Sequence, residues 1–160
     1  MKFRVHIENG CEQPFELPQD QQFQQWVKAA LHPFRDDGEV NIRIVENDEM
    51  TELNCQYRNK NKPTNVLAFA YHPGDDEIEP LLGDIAICAP VVAAEAEQQE
   101  KPIAHHWAHL VIHGTLHLLG FDHIKDEDAE QMEQQETELL AQLGIPDPYQ
   151  VKQETNKADK

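Results

Sequence analysis

Six of the nine histidines in this chain lie between His105 and His123. The run His113-Gly114-Thr115-Leu116-His117-Leu118-Leu119-Gly120-Phe121-Asp122-His123 concentrates side chains that can hold a metal ion. On a helix, residues four apart share a face with Cβ atoms roughly 5–6 Å apart, so His113 and His117 can offer two imidazoles to one ion. Gly120 suits the left-handed residue that ends such a helix. The chain can then swing back and deliver His123 as a third ligand. Three neutral nitrogens leave a coordination position for water, as in a catalytic site rather than a closed structural one. An all-nitrogen ligand set points to zinc, about one ion per chain. Two histidines at this spacing often occur by chance; the third histidine and the helix-stop glycine are what separate this run from a solvated face.

The neighbours are weighed in the same way. His109 continues the series one turn upstream, where it either adds a fourth ligand or packs beside Trp107 and Leu110; three ligands already filling a facial arrangement favour packing. His105 and His106 fall in the first turn and read as solvated or helix-flanking. Asp122 either holds a ligand imidazole by a hydrogen bond or makes an Asx-turn before His123. Thr115, Leu116, Leu118 and Leu119 read as core. The spacing H-x-x-x-H-x-x-G-x-x-H also matches the zinc-binding segment of metzincin proteases, which carry a glutamate base directly after the first histidine. Here that position is Gly114, so the usual means of activating water for peptide hydrolysis is missing.

The elements that must position these groups follow from periodicity. Phe3, Val5 and Ile7 alternate with Arg4 and His6 as a half-buried strand. Phe23, Trp26, Val27, Ala30 and Leu31 form the stripe of an amphipathic helix, ended near Pro33. Val40, Ile42 and Ile44 alternate as a second strand, and Asn47 or Asp48 can cap a helix through Leu53 and Tyr57. A basic segment follows, with Arg58, Lys60 and Lys62. Asn65 to Tyr71 is a nearly continuous apolar run, as expected of a strand covered on both faces. His72 to Pro80 reads as a polar loop, and Gly83 to Ala89 as a strand stopped by Pro90. Val91 to Gln99 reads as a helix. Pro102 suits the first turn of a long helix reaching Leu119. Ala129, Met132, Leu139, Leu140 and Leu143 mark a last helix. The expected fold is a single α+β domain over 1–150, with roughly four strands in a mixed sheet and several helices, followed by a polar, frayed tail at 151–160.

Bulk properties bound the function. With 160 residues the chain can bury a core of its own. No signal-like apolar region opens it, and no stretch approaches the roughly 20 residues that span a bilayer. Cys11, Cys55 and Cys88 are far apart and odd in number, which suits a reduced, cytosolic protein. The net charge of −17 opposes broad nucleic-acid binding. It is unevenly spread: Glu52 is the sole acid between Met50 and Gly74, whereas Asp126 to Glu138 holds seven acids and no base. A local cationic site at Arg58, Lys60 and Lys62 is therefore open to an anionic partner.

The run His113 to His123 matches H-G-x-L-H-L-x-G-[FY]-D-H, and with it the sequence resembles the YbeY family of bacterial rRNA maturation factors. Two further blocks agree in order and spacing. Leu53 to Phe69 is similar to LN-x-x-YR-x-K-x-x-PT-[DN]-VLSF, and Leu82 to Ile87 to LGDI-x-I. Ala68 replaces the usual serine and Asn61 the common aspartate. The resemblance implies an α+β zincin-like fold, zinc on His113, His117 and His123, and endoribonuclease activity on single-stranded RNA. It further implies roles in small-subunit rRNA 3′-end maturation and ribosome quality control, with the ribosome or its associated proteins as partners and neither DNA nor membrane involved. Family members keep an arginine at the position of Arg58, whose planar donor fork suits a phosphodiester in the transition state; otherwise Arg58 reads as a surface ion pair. The alternatives are a metallohydrolase of another substrate class and a ribosome-associated binding protein with a structural zinc.

Overall fold

The computed structural model describes residues 3–71, 81–121 and 126–149. Within them the chain order is β1 (Phe3–Asn9), α1 (Asp20–Leu31), β2 (Gly38–Val45), α2 (Asn47–Arg58), β3 (Val66–Ala70), β4 (Leu81–Cys88), α3 (Ala89–Gln98), α4 (Ile103–Leu118) and α5 (Asp126–Gln142). The strands form one mixed sheet in the order β1-β2-β4-β3. β1–β2 and β2–β4 run parallel, and β3 pairs antiparallel with β4, Ala68 standing opposite Ile85. This is the α+β domain with a four-stranded mixed sheet that the sequence pattern predicts.

Alternation along the strands separates two apolar layers, because successive side chains of a strand point to opposite faces. Val40, Ile42 and Ile44 of β2 and Ile85 and Ile87 of β4 face the larger layer. There they meet Phe23, Trp26, Val27 and Leu31 of α1, Trp107, Val111, Ile112 and Leu116 of α4, and Met132, Leu139 and Leu140 of α5. Phe23 sets its ring edge-on to both Trp26 and Trp107, at 5.9 and 5.8 Å between centroids. Ala86 and Cys88 face the smaller layer with Met50 and Leu53 of α2, Leu67 and Phe69 of β3, and Val91. The long helix α4 and the helix α2 thus lie on opposite faces of the sheet.

β3 is an edge strand, yet covered on both faces as its apolar run predicts: Val66 and Ala68 touch one layer and Leu67 and Phe69 the other, while Ala70 is exposed. Two other local expectations are corrected. Pro90 does not end a strand so much as begin α3, where a missing N–H in the first turn is harmless. α2 starts after Glu46 with no side-chain cap, so neither Asn47 nor Asp48 caps it. The loop from His72 to Pro80 lies outside the described residues.

Two glycines set how closely the layers approach. A Cβ on Gly114 would sit 3.1 Å from Ile85, so α4 rests directly on β4 at this point. Gly83, at φ +154°, would place a Cβ 2.2 Å from the carbonyl oxygen of Phe69, which only a residue without one avoids.

Candidate metal centre

α4 presents His105, His109, His113 and His117 at successive intervals of four residues, so they fall on one face. The helix ends as the glycine predicts. Gly120 takes φ +106°, its N–H donates to the carbonyl of His117, and the Phe121 N–H donates to that of Leu116. These are the two bonds of a Schellman turn, which satisfy carbonyls the helix would otherwise leave open and turn the chain away directly after His117. The rings of His113 and His117 stand 4.7 Å apart and nearly perpendicular. His123 and Asp122 lie outside the described residues.

Beside His113 stands a group that the sequence showed only as one of the seven acids between Asp126 and Glu138. Glu136 of α5 has no exposed surface. One of its oxygens, Oε1, lies 2.5 Å from His113 Nδ1 and 3.3 Å from His109 Nε2. The other, Oε2, accepts a hydrogen bond of 2.7 Å from the Tyr149 hydroxyl, which also lies 3.1 Å from His109 Nε2. A signal for Glu136 was present: it falls four residues after Met132 and just before Leu139 and Leu140, inside the apolar stripe of α5. Tyr149 carried no comparable signal.

The electrostatics follow from burial against pairing. Burial pushes the Glu136 carboxyl upward, but hydrogen bonds from His109 and His113, together with their charge, outweigh it and hold the group down at about 2. Burial lowers His109, while burial and then the Glu136 charge raise the phenol of Tyr149. Glu136 is therefore an anion in the core, and Tyr149 keeps its proton. His109, His113 and Glu136 bring three potential ligand atoms within 4.8 Å of one another, a group of the right types to hold a metal.

The remaining residues divide. His106, expected at the surface, is buried with Nε2 2.8 Å from Glu95, whose carboxyl this bond lowers. It lines a cavity of about 770 Å³ beside the start of α4, together with Lys101, His105, His109 and Tyr149. Arg58 is the last residue of α2 rather than part of the loop, is exposed, and makes no ion pair among the described residues. Lys60 and Lys62 are exposed too, and Asn54 ties their loop to α2 by donating to the Lys62 carbonyl at 2.8 Å. No hydrogen bond among the described residues joins Arg58 to the histidine cluster. α4 packs against the edge strand β3, and from α2 Tyr57, the residue before Arg58, sets its ring 4.8 Å from Phe69 of that strand.

An α+β domain whose helix α4 sets His109 and His113 beside the core carboxylate of Glu136 carries a group that could hold a metal ion. The sequence model of the family described as endoribonuclease YbeY matches residues 6–144, and the chain belongs to that family. Its activity class is accordingly that of a ribonuclease, a hydrolase acting on RNA. The chain is also similar to the solution structure of TM1509 from Thermotoga maritima, at 26% identity and a TM-score of 0.55, over 87% of this chain and 91% of that one. No helix among the described residues is long and apolar enough to cross a membrane.

Proposed function

We propose that this chain is a zinc-dependent endoribonuclease specific for single strands, acting in the cytoplasm on ribosomal RNA. Its reading includes maturation of the small-subunit RNA 3′ end and a part in ribosome quality control, directed by the ribosome or ribosome-associated proteins. The ribonuclease half rests on family membership. The metal half rests on one observation above all, the perpendicular pairing of the His113 and His117 rings one turn apart on α4. Imidazoles at that spacing fit zinc, with His113, His117 and His123 as the ligand set. Residues 1–150 make up the nuclease domain, and 151–160 a polar tail.

A zinc ion held there supplies Lewis acidity toward a phosphate oxygen and toward water. The side chains do the rest. Arg58 takes the scissile phosphodiester with its planar donor fork and meets the charge that builds in the transition state. Lys60 and Lys62 draw the strand in as point charges. Gly114 counts against peptides as the substrate, because it stands where metzincins carry the base and is packed closely against Ile85.

Cleavage of a single-stranded rRNA fragment and hydrolysis of casein, run side by side, test this reading. The wild type should cut RNA, stop when stripped of metal, recover with zinc, and leave casein intact. His117→Ala should lose both tight zinc binding and RNA cleavage, since two remaining ligands rarely suffice. Full zinc occupancy in that variant would remove His117 from the site, and undiminished RNA cleavage would expose a contaminating nuclease.

A further inference from the structure

We infer that Glu136 is a positioning residue of the metal centre: its buried carboxylate fixes the His113 imidazole with Nδ1 inward and Nε2 outward, and Tyr149 holds the carboxylate in place. The inference rests on the zinc-site reading above and deepens it.

The Tyr149 hydroxyl donates to Glu136 Oε2, and His109 Nε2 and His113 Nδ1 both stand at Oε1, so the carboxyl group is met as an acceptor on both oxygens and the hydrogen between His113 Nδ1 and Oε1 is placed on the imidazole. That choice of tautomer leaves Nε2 with its lone pair, the form in which histidine ligates a metal. A carboxylate on the far nitrogen of a ligand histidine fixes both ring orientation and basicity. The 2.5 Å separation also rules on the other role open to Glu136. Two atoms bound to one tetrahedral zinc at roughly 2.0–2.1 Å stand about 3.3–3.4 Å apart. His113 Nδ1 and Glu136 Oε1 are closer than that, so they share a hydrogen and not an ion.

Tyr149 completes the arrangement. Without its hydroxyl, Glu136 Oε2 would face the core with no donor among the described residues. The turn that carries Tyr149 is clamped to α5: Asp147 Oδ1 accepts the Tyr149 backbone N–H at 2.9 Å and the Thr137 hydroxyl at 3.4 Å. Residues 23 and 36 positions downstream of His113 thereby set the direction of one imidazole.

The full-length protein, stripped of metal, carries the test in Glu136→Gln and Tyr149→Phe. Zinc affinity is measured by competition with a chromophoric chelator, cobalt is bound as a spectroscopic reporter, and melting of the metal-free proteins monitors the fold. Glu136→Gln should bind one zinc per chain with an affinity lowered about 10- to 100-fold, and its cobalt spectrum should keep the band positions of the wild type. Tyr149→Phe loses only the hydroxyl at the outer end of the network and should show a smaller drop of the same kind with little change in melting. It decides the matter if Glu136→Gln does not fold. Unchanged zinc affinity in the folded variants would reduce the network to packing and overturn the inference. Loss of stoichiometric binding with a shifted cobalt spectrum would make Glu136 a ligand and overturn it too. A wild type that binds no zinc would remove the underlying metal reading itself.

Discussion

Arg58 ends α2 with an exposed guanidinium and, among the described residues, no carboxylate to occupy it. Its removal should therefore leave packing untouched. Arg58→Ala is expected to melt like the wild type and to retain its metal, yet to cut RNA about 10²–10³-fold more slowly if the side chain stabilises phosphate charge. Arg58→Lys should recover only part of this, because an ammonium lacks the bidentate fork. Single-turnover cleavage of the three proteins at equal metal loading checks the order. Equal rates for all three would return Arg58 to the solvated surface. Gly114 and Glu136 show the opposite situation, where residue type misleads until its surroundings are known. The first has no side chain where the helix touches Ile85, and the second is a buried carboxylate within a run that the sequence shows only as acidic.

The relation of α4 to the sheet depends on how closely β3, β4 and the helix can approach. Gly83 is the tight point, since a Cβ there would lie 2.2 Å from the Phe69 oxygen and 2.8 Å from Leu118, on a backbone at φ +154°. Neither a backbone carbonyl in a paired strand nor an unfavourable φ yields cheaply. Gly83→Ala should therefore destabilise by about 3 kcal/mol or more, with a fall in Tm of roughly 6–12 °C for a domain of this size. A thermal melt with hydrogen exchange at Val66–Ala70 would show whether the loss centres on the β3–β4 pairing. A Tm within about 2 °C of the wild type would mean that the two strands separate easily at this point.

For the molecule as a whole, the charge of −17 acts on stability and on binding in opposite directions as salt rises. Added salt screens the self-repulsion of an acidic domain and should raise Tm. The same salt should weaken the grip on single-stranded RNA. With Arg58, Lys60 and Lys62 as the contacts, log affinity should fall against log salt with a slope of about −2, from roughly −0.7 per neutralised phosphate on a single strand. Melting curves and RNA-binding titrations over one potassium chloride series measure both. A slope near zero would take the basic segment out of the interface. Modest affinity for free RNA is expected throughout, and under the proposed function the choice of substrate falls to the ribosome or a ribosome-associated protein.

Local patterns were enough for much of this. The stripe Phe23, Trp26, Val27, Ala30 and Leu31 is buried as its spacing requires, Val40, Ile42 and Ile44 face one layer, and Gly120 closes α4 directly after His117. The pairing of His113 with His117 needed only the helical repeat. Periodicity reports which face of an element is buried, because it records a pattern within one segment. It does not report against what. That β4 lies between β2 and β3, that His106 turns inward to Glu95, and that Glu136 and Tyr149 close on His113 are all contacts between separate elements. They follow from how the helices dock on the sheet. The buried carboxylate was visible in advance only as an acid out of place in an apolar stripe, since an anion can remain in a core only where docking brings donors to it.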